Sequence, residues 1–221
     1  MRLRLFALAL VVPILSFAAL ITVPTTGKVE DFDSQTGCGY CFTTGPVLLP
    51  SGIIFTAGDV GTNSGFGAVL GTGSYGLGFN GGWDFVYFAG VDAPDNYMIF
   101  ELPSAVSAIS ARMNYCPDCG GPDPVIEALD AGFLVLESWN LALFAPISTP
   151  GGNNAAEWRG IVRGSADIKA LRVANSYIVV DDLTFGGIPV TPSPVPEPAT
   201  LLMLSGALLA LGIAKRRQAL K

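Results

Sequence analysis

The chain contains no histidine among its 221 residues. That removes Ser-His-Asp and Cys-His nucleophile arrangements and the H-E-x-x-H zinc helix at one stroke. Charge is also scarce, at 14% of residues, against about a quarter in ordinary globular chains. Cations are the scarcer sign: 12 Lys and Arg against 18 Asp and Glu, for a net charge of −6. Six of the twelve cations sit at the extreme ends (Arg2, Arg4, Lys215, Arg216, Arg217 and Lys221), while every carboxylate lies between them. The middle therefore sets six cations against eighteen carboxylates, a net of −12. Such a surface repels phosphate backbones, so nucleic acid is excluded as a partner. No internal repeat is visible.

The ends are what the sequence states most clearly. Arg2 and Arg4 precede an apolar run from Leu5 to Ile21, interrupted by Pro13, with Ser16 and Ala18 at an A-x-A-like site. This pattern predicts a secretory signal helix over residues 1–19, cut after Ala18 or Ala19. An uncleaved anchor is the alternative. At the other end Ala199–Ala214 carries no charge and is rich in Leu and Ala. As a helix it reaches roughly 24 Å, slightly short of a hydrocarbon core of about 30 Å. Lys215, Arg216 and Arg217 follow as a basic stop that stays cytoplasmic, which puts everything before Ala199 outside. A single transmembrane helix over 199–214 and a basic tail over 215–221 are expected.

Val195-Pro196-Glu197-Pro198, the short apolar helix and the Lys215-Arg216-Arg217 cluster together resemble the PEP-CTERM sorting signal. The resemblance covers about 27 residues. It implies export by a bacterium that makes exopolysaccharide and cleavage near Pro196-Glu197-Pro198 by an exosortase, a membrane-embedded cysteine transpeptidase. Anchoring in the inner membrane would then be transient, followed by release to the cell surface or outside. Val195–Pro198 are substrate in this reading and catalyse nothing. Residues 188–198 hold five prolines, a semi-rigid spacer of about 3.1 Å per residue that keeps the motif extended.

Between the ends, residues 27–187 are long enough for one domain with its own core. Short apolar and aromatic runs alternate with Gly-rich turns at roughly ten-residue spacing, which argues for an all-β, antiparallel β-sandwich. Candidate strands are 47–49, 52–56, 66–70, 75–79, 83–89, 97–102, 106–115, 125–131, 133–139, 157–163, 168–173 and 177–185. Val106, Ile109 and Met113 also fit helical spacing, but the segment reads as a strand. Tyr177, Val179, Asp181, Leu183 and Phe185 are expected on one face. Val179–Phe185, with Ala128–Gly132 and Trp158–Ile161, resembles the jelly-roll-like ectodomains found upstream of such signals. Those are similar in outline to carbohydrate-binding modules and concanavalin-like sandwiches, a resemblance that bears on fold more than on activity. Beside the tail signal, the histidine-free body is expected to be a non-enzymatic surface or matrix module associated with exopolysaccharide, with a glycan hydrolase and a purely structural scaffold or adhesin as the alternatives.

Four cysteines form two pairs, Cys38-Gly-Tyr-Cys41 and Cys116-Pro-Asp-Cys119. In an oxidising compartment disulfides are expected, with two local bridges and two cross-bridges both open. A tetrahedral zinc site built from all four thiolates is the alternative; a redox pair would want a helix start, and these lie in Gly- and Pro-rich loops. Gly71-Thr72-Gly73-Ser74-Tyr75-Gly76 spells a dinucleotide fingerprint but runs into more glycine, so it is turn chemistry. Glu30, Asp31 and Asp33 near the first strand, and Asp181 and Asp182 in the last, would suit calcium if the two strands are neighbours. Solvated carboxylates are the plainer reading. Glu127 with Glu137 or Asp130 are the pairs a glycan hydrolase could use. Tyr75, Trp83, Trp139 and Trp158 could stack on sugars or fill the core.

Overall fold

The structure, a computed structural model, describes residues 18–35, 42–58, 68–71, 88–91, 96–115, 122–146, 156–175 and 178–189. Among the described residues, seven strands lie in the first half: β1 (Ala18–Ile21), β2 (Thr25–Glu30), β3 (Phe42–Thr43), β4 (Val47–Leu48), β5 (Ile54–Ala57), β6 (Ala68–Gly71) and β7 (Phe88–Val91). The second half holds β8 (Tyr97–Val106), β9 (Ala108–Tyr115), β10 (Val125–Leu129), β11 (Val135–Asn140), a one-turn helix α1 (Leu141–Phe144), β12 (Glu157–Arg163), β13 (Ile168–Ala174) and β14 (Ile178–Pro189). Every pairing between them is antiparallel. The segment 108–115 is a strand, so alternation prevailed there over the helical spacing of its apolar residues.

Two sheets form. One runs β1-β12-β9-β14-β7-β6-β3, with β2 also on β14; the other runs β11-β10-β13-β8-β5-β4. The chain passes between sheets at β3 to β4, β5 to β6 and at every step from β7 to β14 except β10 to β11, in jelly-roll-like fashion. The core between the sheets combines Ile109, Met113, Ile161, Val180 and Leu183 of the first with Phe55, Phe100, Ile126, Leu171 and Val173 of the second. Phe100 is its centre, with the rings of Phe32 and Phe55 at 5.9 and 5.5 Å. Burying each such ring contributes roughly 1.5–3 kcal/mol.

Three elements differ from expectation at the edges of the body. Ala18–Ile21 pair with Gly160–Arg163 of β12, so the last two residues of the expected signal segment begin a strand. β2 pairs with the end of β14, and its polar sequence, Thr-Thr-Gly-Lys-Val-Glu, carries no strand signal by itself. β14 runs through Ile188 and Pro189, with Pro189 opposite Thr25, so the first two residues of the expected spacer belong to a strand.

β14 also corrects the face predicted for it. Its register on β9 shifts between Asp181 and Thr184, and Asp182 adopts φ 49°. This is a β-bulge, and one extra residue reverses the alternation beyond it. Ile178, Val180, Leu183 and Phe185 belong to the core. Asp181, opposite Arg112, faces away from it.

The chain divides into two compact units, Met1–Val190 and Thr191–Lys221. The second lies outside the described residues, as do residues 1–17, so the expected signal and transmembrane helices fall there. Among the described residues no helix is long and apolar enough to cross a membrane.

Candidate functional site

The carboxylates proposed for hydrolysis are distributed by the sheet itself. On β10 and β11, Glu127 lies opposite Ser138, and Ala128 lies opposite Glu137. Neighbouring residues project to opposite faces, so Glu127 points outward and Glu137 inward, toward the buried Ala128 side. Glu127 is the middle of an outward row: Arg172 Nη1 donates to it at 2.9 Å, Ser138 Oγ at 3.2 Å, and the Arg172 guanidinium sits 4.7 Å over the Tyr97 ring. Glu137 instead faces Arg163 at 3.6 Å. Arg163 clasps the two sheets together, donating to the Leu136 carbonyl and, through Nε and Nη2, to both oxygens of Asp167. That fork holds the Asp167 carboxyl below its usual range and raises the Arg163 guanidinium. Asp130 caps a turn, its Oδ1 accepting the amides of Gly132 and Leu134. No two of the three share a groove as an acid-base pair.

Glu30 is likewise structural. It is buried, opposite Leu183 of β14. Its two oxygens accept the amides of Phe32 at 3.3 Å and Ser51 at 3.0 Å. Phe32 follows with φ 56° and its ring fully buried. Asp31, Asp33 and Asp182 do gather around Asp181. Its carboxyl is pushed up to about 7, by burial first and then by repulsion from those three, against the pull of the Asp182 amide. β2 beside the end of β14 is the neighbour relation the sequence suggested for these residues. Among the described residues no three His, Cys, Asp or Glu side chains are arranged to hold a metal ion.

The outer face of the first sheet carries a second constellation. β9 alternates Ile109, Ala111, Met113 and Tyr115 inward with Ser110, Arg112 and Asn114 outward. Trp158 of β12 lies opposite Arg112, whose guanidinium sits 5.5 Å from the indole centre. On its other side Arg112 Nε pairs with Asp182 Oδ2 at 3.1 Å, both half-exposed. Asn114 is fully buried two residues on, with neither amide atom hydrogen-bonded. The row of indole, guanidinium and carboxylate across β12, β9 and β14 offers an apolar face, a donor and an acceptor. Trp158 and Asp182 are both sequence candidates, the one for sugar stacking and the other for calcium. Arg112 is not among the sequence candidates, although its alternation with inward apolar residues is readable.

The remaining aromatics divide. Trp139, opposite the buried Ile126, packs on the core and meets the Phe144 ring edge-on at 5.1 Å. Tyr75 and Trp83 lie outside the described residues. So do Cys38, Cys41, Cys116 and Cys119, Val195–Pro198, and Lys215, Arg216 and Arg217.

Residues 194–217 match the family model of the PEP-CTERM protein-sorting motif. The chain carries a PEP-CTERM sorting motif. The motif implies a secreted, membrane-transiting surface protein recognised by an exosortase. No curated protein matches the chain. Two solved structures are similar in part. The K2 cleaved adhesin domain of Lys-gingipain aligns over 72% of this chain and 96% of its own, at 16% identity and a TM-score of 0.41. The enzymatically active domain of bacteriophage CBA120 tailspike protein 4 aligns over 76% of this chain and 22% of its own, at 10% identity and a TM-score of 0.26. PEP-CTERM processing thus concerns the last residues, and the sandwich before them is described by its own geometry.

Proposed function

We propose that the β-sandwich of this exported PEP-CTERM protein is a non-enzymatic module that associates with extracellular polysaccharide at the cell surface or in the matrix. Its anchoring in the inner membrane is transient, ended by cleavage at Val195–Pro198. The observation that carries the reading is the outward Trp158–Arg112–Asp182 arrangement. Sugar rings stack on indoles through their C–H faces, and their hydroxyls take guanidinium and carboxylate partners. Against catalysis stands the separation of Glu127, Glu137 and Asp130, each engaged in its own structural contact.

A glycan array probed with the processed protein tests this. Binding to a polysaccharide class, lost in Trp158→Ala with an unchanged far-ultraviolet spectrum, is the expected result. Binding that survives in Trp158→Ala removes this face as the site. An array with no signal leaves a structural scaffold or adhesin without glycan affinity. Release of reducing sugar from any bound glycan would restore the hydrolase reading.

A further inference from the structure

Exposed apolar side chains usually stand singly; at one turn of this sandwich three stand in succession. Phe133, Leu134 and Val135 are 48%, 68% and 52% exposed. They close the β10–β11 hairpin, and the turn is held from within. Asp130 Oδ1 accepts the amides of Gly132 at 2.8 Å and Leu134 at 2.9 Å, the Asp130 amide donates to the Leu134 carbonyl, and Phe133 N donates to the Asp130 carbonyl. Phe133 sits at φ 60°, a left-handed conformation more often taken by Gly or Asn. The turn presents a bulky apolar residue where a small or polar one would be easier.

The strand registers place this turn at the end of the sandwich from which the chain departs. Near the end of β14, Phe185 lies opposite Ile109, at the start of β9. β9 follows β8, whose last residue Val106 lies opposite Ile168 at the start of β13. Ala170, still near that start, lies opposite Leu129, the last residue of β10. The Phe133 turn comes directly after Leu129. Beyond Pro189, nine residues precede the apolar run at Ala199, at most about 30 Å of extended chain.

We propose that Phe133 and Leu134 insert into the phospholipid surface while the chain is anchored, giving the tethered sandwich a second, peripheral membrane contact. This rests on the sorting reading, because only a chain anchored through residues 199–214 is held within reach of a bilayer. The charge of the body favours an apolar contact over a basic one: at −12 between the ends it is repelled by anionic headgroups. The nearest carboxylate in the turn, Asp130, is occupied by backbone amides. Two large apolar side chains on a rigid turn suit shallow burial at the headgroup boundary.

The test uses the full chain carrying Phe133→Trp, reconstituted in phosphatidylcholine vesicles with and without acyl-brominated phosphatidylcholine. The emission added by the substitution is expected to shift to the blue and lose intensity with the brominated lipid. Adding Leu134→Asp, at an exposed position, should abolish both effects while the chain stays in the vesicle fraction. Added emission that is water-like and unquenched in vesicle-bound chain overturns the insertion and leaves the sorting reading intact. Quenching that persists with Leu134→Asp also overturns it. A chain absent from the vesicle fraction overturns both readings.

Discussion

Arg112 lies opposite Asp181 across the β9–β14 pair, yet it makes its ion pair with Asp182, at 3.1 Å. The bulge explains the exchange. With Asp182 in a left-handed conformation, two successive carboxylates reach the side that Arg112 occupies, and the more exposed one takes the cation. Asp181 is left buried, its Oδ1 accepting the Asp182 amide at 2.8 Å, with Asp31, Asp33 and Asp182 close enough to repel it.

This gives stability an acid-favouring component. The folded-state pKa of Asp181 is about 7, above its ordinary 3.8. As pH rises through this interval the unfolded chain ionises first, so the native state loses ground until about pH 7, above which the loss is complete. Asp181→Asn removes the titration and keeps an acceptor for the Asp182 amide. The variant should be more stable than the parent by roughly 1–4 kcal/mol at pH 8, with the gap closing toward pH 4. Urea unfolding at the two pH values checks this; a gap equal at both would show that Asp181 is not neutral in the native state.

Glu30→Ala strips both acceptors from the amides of Phe32 and Ser51. One buried and one half-buried donor left without that carboxylate should lower stability by about 1–4 kcal/mol. Glu30→Gln, which retains one carbonyl oxygen, should lose less. The order of the three denaturant midpoints is the measurement, and a Glu30→Ala midpoint equal to the parent's would mean the carboxylate is not structural.

Gly160 lies in the middle of β12 where no left-handed conformation is needed; what it supplies is room. A Cβ there would stand 2.3 Å from the Ile109 carbonyl oxygen and 2.6 Å from Ser110 Cβ. Backbone on the neighbouring strand cannot yield as a flexible side chain would. Gly160→Ala should destabilise by about 1–3 kcal/mol, read as a lower melting temperature in calorimetry. An unchanged transition would show that β9 and β12 separate freely here.

On the proposed sorting reading, in which the acidic residue between Pro196 and Pro198 belongs to the recognised motif, Glu197→Ala should leave full-length chain in the inner membrane. Immunoblots of membrane and external fractions decide it. Mature protein of normal size outside the cell would sink the processing role of Glu197.

The sequence alone determined the address of this protein and the class of its body. Both are local properties: an apolar run between a Pro-Glu-Pro motif and a basic cluster needs no partner to be recognised, and neither does short-period alternation between turns. The strand over 108–115 was legible because Ser110, Arg112 and Asn114 alternate with apolar residues. Only the tertiary structure decided which faces the chemistry occupies. Glu127 and Glu137 lie on opposite faces of one hairpin, and their similar surroundings in sequence hide it. β1 and β2 became strands because β12 and the end of β14 offered them unpaired edges, not because their own residues favour extension. A single inserted residue at Asp182 sent Asp181 outward and Leu183 inward. Register is set by pairing between distant segments, and each slip of one position reverses every side chain that follows.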